Sequence, residues 1–292
     1  MVEASGSREL LPALAELPGH LFWRAQARVS IALAEVLPAG VDIHSYAALL
    51  ALSGGAARSQ QSLAETISVS RTTMVRVAAD LSAQGLVKRV RNPADRRSYA
   101  LTRTPEGAAA ARRWRRHAED LEDAVTSSFT LAEREELRGL LLVVAQVDLA
   151  PDVPEPLLES IAFLVTRVHS RMHREFATTL EPLRIEPRDF GTLVALQAAG
   201  PVSQAELARH MGVSGASMVQ IVDDLERRGL VERRRLASDR RTQVLHLLPD
   251  VPRVLAEAGS LAQEMTATLL GDLSKARTRR LLVLMRRLVT AP

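Results

Sequence analysis

The side chains with the most chemistry to offer in this sequence are arginines, and they come in a pattern written twice. Residues 85–97 read GLVKRVRNPADRR and residues 229–241 read GLVERRRLASDRR, so Gly229 follows Gly85 by 144 positions. Each phrase closes on an Arg-Arg pair, Arg96-Arg97 and Arg240-Arg241. Upstream of each lies a short polar stretch, SRTTMVR at 70–76 and SGASMVQ at 214–220. A guanidinium such as that of Arg71 or Arg76 can pair bidentately with guanine, and a carboxamide such as that of Gln220 suits adenine. The net charge is only +4, so the placement of the positive charge matters more than its total. A local basic surface attracts phosphate even on a near-neutral protein.

Other chemistry is sparse. There is no cysteine, which excludes disulfides, cysteine zinc sites, iron–sulfur clusters and thiol sensing, and fits a cytoplasmic protein. His169 and His173 stand four apart on a helical stretch, but no third ligand accompanies them at a suitable spacing, and no metal site is expected. The cluster RRWRR at 112–116 is as much a solvated helix face as a phosphate contact. No glycine-rich phosphate loop, nucleophile elbow or paired carboxylates occur, so neither catalysis nor a cofactor is expected, and an enzyme on a borrowed scaffold lacks its constellation. No run approaches the ~18 apolar residues of a membrane helix, and MVEASGSREL lacks the basic start and apolar run of a signal peptide.

The doubled phrase belongs to a longer period. Residues 59–97 lie on residues 203–241 without a gap: Leu63 meets Leu207, Met74 meets Met218, Leu81 meets Leu225 and Gly85 meets Gly229. A match of this length with shared turn residues marks a tandem repeat. The 292 residues also suit two domains on a prior of one per ~150. The expected division is a first repeat at 1–149, a short proline-rich linker at 150–156 and a second repeat at 157–292. Aromatics make up only 3%, so the cores must be built from Leu, Val, Ala and Met. Ala, Leu, Arg and Glu dominate and favour helices.

Within one repeat the elements follow from periodicity and punctuation. Helices are expected at 18–37, 44–53 and 60–67, and a fourth starts at Ser70 and ends at Gly85. In the fourth, Met74, Val77, Ala78 and Leu81 share one face and Thr72 and Arg76 lie opposite. Two short strands, 86–91 and 98–102, flank the turn cluster NPADRR. A long helix runs from Pro105 to about 129, and a last one spans about 131–147. The second repeat gives helices at 155–181, 187–199, 203–211 and 214–228, a hairpin at 230–247 and helices at 250–271 and 274–289. Two helices across a tight turn followed by a hairpin make a winged helix-turn-helix, whose second helix can enter the DNA major groove. The expected fold is mainly α with small β-wings: two winged helix-turn-helix domains and a shared helical region of dimerisation type.

This layout resembles the MarR family of bacterial transcriptional regulators. The resemblance rests on the Val-Ser helix start, Asp-Leu-x-x-x-Gly-Leu-Val at the end of the recognition helix, the Asp-Arg-Arg wing and LTRTPEGAAAA at 101–111. It implies double-stranded DNA as partner and a homodimer whose first and last helices interlock. Here two subunits look fused, so a monomer acting as an intramolecular pseudo-dimer on a pseudo-palindromic site is expected. It implies DNA contacts from Ser70, Arg71, Thr72, Thr73, Arg76, Arg96 and Arg97, and from Ser214, Ser217, Gln220, Arg240 and Arg241. Asp95 and Asp239 would orient the wings through a nearby arginine, and the wing arginines would reach the minor groove or its phosphates. Members of the family often release DNA on binding a small aromatic or anionic molecule, which makes a repressor relieved by an effector the expected function. His20, Trp23, Arg24 and His44 would line that pocket, though Trp23 as core and the others as surface is the plainer reading. An architectural or constitutive DNA-binding protein without an effector is the alternative.

Overall fold

The computed structural model describes residues 10–37, 42–92, 97–236 and 239–291; for residue 236 and residues 239–242 only the backbone is described. The chain divides into two compact units. One is continuous, Val29–Arg167; the other is composite, Met1–Arg28 with Val168–Pro292. The N-terminal segment of the first repeat therefore belongs to the unit that holds the second repeat's winged helix. Among the described residues, no helix is long and apolar enough to cross a membrane.

The chain opens with helices α1 (Pro12–Ala15) and α2 (Pro18–Val36), and α2 passes out of the composite unit after Arg28. The continuous unit then forms α3 (Ile43–Ala51), strand β1 (Ala57–Arg58), α4 (Gln60–Ile67), α5 (Arg71–Ala83), β2 (Val87–Arg91), β3 (Tyr99–Arg103), α6 (Pro105–Thr126) and α7 (Leu131–Ala145). Serine starts both short helices. Ser59 accepts the N–H of Ser62 and Ser70 that of Thr73, each filling a first-turn donor the helix cannot satisfy itself. Ser68, at φ 65°, closes α4 in the left-handed region and makes the tight turn. Leu49, Leu63, Met74, Val77 and Leu81 are buried together with Trp114 of α6. The hairpin pairs Val87 with Arg103 through to Arg91 with Tyr99, and β1 adds a third strand on the far side of β3. That third strand has no counterpart in the sequence reading, because two residues carry no periodicity. Gly107 in the first turn of α6 is sterically required: a Cβ there would lie 2.0 Å from the carbonyl oxygen of Leu86.

The expected single helix at 155–181 is corrected to two, α8 (Glu155–Leu158) and α9 (Ile161–Leu180). Ser160 restarts the helix, its Oγ accepting the N–H of Phe163, while the Glu122 carboxylate accepts those of Ile161 and Ala162. Side-chain acceptors for these first-turn donors make a new N-terminus cheaper than a continuous helix. The segment read as a connector, 150–156, also packs: its Val153, and Leu157 directly after it, are buried in the core of the continuous unit.

The composite unit takes α9 from Val168 onward and adds α10 (Pro187–Ala199), α11 (Gln204–Met211), α12 (Gly215–Arg227), β4 (Val231–Leu236), β5 (Asp239–Leu247), α13 (Val251–Leu269) and α14 (Lys275–Thr290). Its winged helix repeats the first in kind. Ser203 caps α11 with a reciprocal bond from Glu206, Ser214 caps α12, and Gly212 and Gly229 take the left-handed conformations that close the two helices. The third strand shrinks to a single bridge, Val202 to Leu245. Residues at α1 and α2 are tied to α14 and its end: Arg286 donates from Nε to the Ala15 carbonyl (2.9 Å) and from Nη2 to Glu16 (2.8 Å), and Arg28 donates to the Ala291 carbonyl (2.8 Å).

Candidate nucleic-acid interface and ligand cavity

Helices α5 and α12 each bury one face and offer the other. Met74, Val77, Ala78 and Leu81 are buried in α5, and Met218, Ile221, Val222 and Leu225 in α12. Arg71, Thr72 and Arg76 are exposed, as are Ser217 and Gln220. The serine caps are partly committed. Ser70 Oγ lies 2.8 Å from Thr73 Oγ1, and Ser214 Oγ 2.9 Å from Ser217 Oγ, so each pair offers a preorganised double hydroxyl at the helix start. Arg76 bridges Asp42 and Asp80, each at 3.2 Å. Exposed ion pairs of this kind contribute ~0–1 kcal/mol, so the guanidinium can exchange them for another acceptor. Two residues escaped the sequence reading. Val75 and Val219 occupy the same place in α5 and α12 and are 57% and 42% exposed. The signal was present, since both fall on the outward faces, and an outward valine can meet a thymine methyl group.

Of the wing residues, Arg97 is exposed; Asp95 and Arg96 lie outside the described residues. Asp239, Arg240 and Arg241 lie on β5, with side chains outside the description. Two different devices hold the hairpins. In the continuous unit the guanidinium of Arg91 stacks over Tyr99 at 4.8 Å and that of Arg89 at 5.7 Å. In the composite unit Arg233 of β4 binds Asp223 (2.5 Å) and Glu226 of α12 and Gln204 (3.2 Å), tying its wing to its helix. Sequence reasoning missed Arg233 because its partners lie on another element.

The composite unit also contains a cavity of about 730 Å³, within the ~300–1,000 Å³ range of small-molecule sites. Met172, Phe176, Phe190, Met211, Ile221 and Leu270 supply much of its apolar lining. His20 and Trp23 stand in the wall with ring centroids 5.5 Å apart. His169 and His173 also line it, stacked at 6.0 Å. Arg24, one turn beyond His20, packs against Gly212, where a Cβ would come 2.3 Å from its Nη1. His44 is not among the lining residues: it lies in the continuous unit, where its backbone N–H donates to the Asp42 carboxylate that caps α3. Around RRWRR, Trp114 is core and its flanking arginines are exposed.

Burial, aided by the Arg24 charge, pushes the His20 imidazole down to about 3, so it is neutral at physiological pH. Burial and then His173 lower His169 to about 4. The folded value for His20 lies below the unfolded one. Its stability contribution is therefore complete above pH ~6.5 and is lost as the pH falls towards ~3. At pH 5 the expected loss from this group is about 2 kcal/mol relative to pH 7.5. Urea titrations of the wild type and His20→Leu at both pH values check it; an equal acid loss in both proteins would contradict the assignment.

Helix-turn-helix pairs each followed by a hairpin define the winged-helix class of nucleic-acid-binding domain. The comparisons narrow the class. The MarR family model matches the chain twice, over residues 39–98 and 185–242. A protein named as a putative transcriptional regulatory protein for the hcr operon of Thauera aromatica is 30% identical over 145 residues, 49% of this chain and 87% of that protein. The chain belongs to the MarR family. Among solved structures, it is similar to a mutant of Escherichia coli MarR complexed with operator DNA: 22% identity, 42% of this chain, 89% of that one, TM-score 0.41. Another is Bordetella bronchiseptica BpsR, whose structure concerns regulation of DNA binding by 6-hydroxynicotinic acid: 23% identity, 44% of this chain, 91% of that one, TM-score 0.41.

Proposed function

We propose that this MarR-family chain is a repressor that sets both of its winged helices on one pseudo-palindromic DNA site and lets go when a small molecule fills the cavity of the composite unit. The observation that carries the reading is the pair of outward faces on α5 and α12, alike in their capped serine start and in Val75 and Val219 but different at Arg76 and Gln220. Each repeat, 1–149 and 157–292 joined through 150–156, supplies one reader, so a single chain offers what a two-fold site needs. The relative from Thauera aromatica, named for the control of an operon, supports a regulatory role. The cavity favours an effector-responsive regulator over a constitutive binder, because release needs a ligand that distinguishes two states.

The test is half-site discrimination. Duplexes selected by the protein from a random pool define the two half-sites. Arg76→Ala is expected to relax discrimination on one half by about 1–3 kcal/mol, and Gln220→Ala to alter the other. Binding to a panel of single-base variants measures it. Equal weakening on every sequence would mean that these side chains touch only backbone.

A further inference from the structure

The two outward helix faces begin alike. Ser70 with Thr73, and Ser214 with Ser217, set the same paired hydroxyls at the start of α5 and of α12. Val75 and Val219 present the same exposed isopropyl group half a turn further on. Such a group suits a thymine methyl, so one base of each half-site is expected to be the same.

The base-reading groups beside them are not alike. At the 144-residue offset, exposed Arg71 is replaced by exposed Gly215, Thr72 by Ala216 and Arg76 by Gln220. Packing does not impose the glycine: nothing lies within 4 Å of the Cβ that Gly215 lacks. The α5 face therefore carries two guanidinium groups suited to guanine, and the α12 face one carboxamide suited to adenine. The surrounding charge differs in the same sense. Residues 70–103 hold eight Lys and Arg against two Asp and Glu, a net +6, whereas residues 214–247 hold seven against five, a net +2. Lys88 is exposed on β2 where Glu232 stands on β4. Several cations of the second set are drawn into ion pairs within their own unit, Arg227 with Asp224, Arg228 with Asp189, Arg233 with Asp223 and Arg234 with Glu232. The helix after the hairpin widens the difference. The exposed arginines of RRWRR in α6 fall on AEAGS in α13, and Trp114 and Ala258 are the buried residues at the centre of each.

We infer that the chain sits on its DNA site in one orientation only, with α5 on a guanine-bearing half and α12 on an adenine-bearing half, and that Arg71, Arg76 and Gln220 set that orientation. The inference rests on the DNA-reading function proposed above and adds the polarity of the site. A symmetric homodimer presents two identical readers, so turning it round changes nothing. Here turning the chain round puts at least one wrong base under each reader. A wrong base pair commonly costs about fivefold to a hundredfold in affinity.

Iron–EDTA tethered to a single introduced cysteine tests this on the full chain, which has no cysteine of its own. Gln61 and Ala205 are exposed, equivalent residues in the first turns of α4 and α11, the helices that cross the DNA backbone in this class of domain. On a duplex selected from a random pool, the Gln61→Cys conjugate is expected to cut the guanine-bearing half at least tenfold more than the other. The Ala205→Cys conjugate is expected to do the reverse. Exchanging the readers with Arg71→Gly, Arg76→Gln, Gly215→Arg and Gln220→Arg is expected to invert both patterns. If the exchanged protein fails to fold by circular dichroism, the two conjugates of the otherwise unchanged chain decide alone. A perfectly palindromic selected site, equal cutting of both halves, or an uninverted pattern after the exchange would each overturn the inference. Equal cutting on a fully bound duplex sinks the orientation and leaves the DNA-reading proposal standing; failure to select any duplex sinks both.

Discussion

Replacing Arg228 by alanine is expected to lower the folding stability by about 3–5 kcal/mol, the usual loss when one partner of a buried ion pair is removed. Arg228 ends α12 and donates to Asp189 (2.6 Å), to Asp224 (3.0 Å) and to the Arg184 carbonyl. Asp189 is 0% exposed, and the same oxygen that meets Arg228 also accepts the Glu186 N–H at 3.2 Å. The remaining cation, Arg188, is 3.6 Å from the other oxygen, beyond a good hydrogen bond, and largely exposed. Without Arg228 the buried carboxylate keeps, of its cations, only the longer contact with the solvent-exposed Arg188. The neighbouring Arg227 pairs with Asp224 at 2.9 Å from an exposed position, so Arg227→Ala should cost less than ~1 kcal/mol. Urea unfolding of the two variants compares them directly. Equal losses would show that the Asp189 pair is not what fixes α12.

The second large effect is expected from the wings. Replacing Arg96, Arg97, Arg240 and Arg241 together with alanine should remove up to four phosphate contacts. Each contact carries roughly 0.9 in the slope of log affinity against log salt, so the slope should flatten by about 3–4. At 0.15 M salt, counterion release at that slope corresponds to roughly a thousandfold loss of affinity. Preference among major-groove variants should hardly change, because the wings add charge rather than base recognition. A salt titration of the quadruple variant measures this. An unchanged slope would leave the repeated Arg-Arg to serve the hairpins themselves.

Elements held by local chemistry were legible in the sequence. Ser59, Ser70, Ser203 and Ser214 announce their helices because a hydroxyl before an apolar run is a local cap, and Gly85 and Gly229 announce the ends because only left-handed backbone closes them there. The outward faces of α5 and α12 follow from 3.6-residue periodicity in the same way. What stayed hidden depends on residues far apart in the chain. Glu122 breaks the 155–181 helix from 38 positions before Ser160. Arg233 finds Asp223 and Glu226 on another element. His20 and Trp23 line the cavity, but nothing local in the sequence signals the second-repeat side chains that complete its wall, and nothing local separates them from His44, which belongs to the other unit. The grouping of residues 1–28 with 168–292 has no signature in periodicity at all, because it depends on which partner a helix finds.

The central claim is that one chain supplies both readers of one DNA site. The mass of the complex formed on a selected duplex tests it most directly, by light scattering during gel filtration at micromolar protein. One 31.9 kDa chain per duplex is the expected result, together with a free protein of the same mass. Two chains on a duplex carrying a single site would contradict the account, since the repeats would then be pairing between molecules rather than within one.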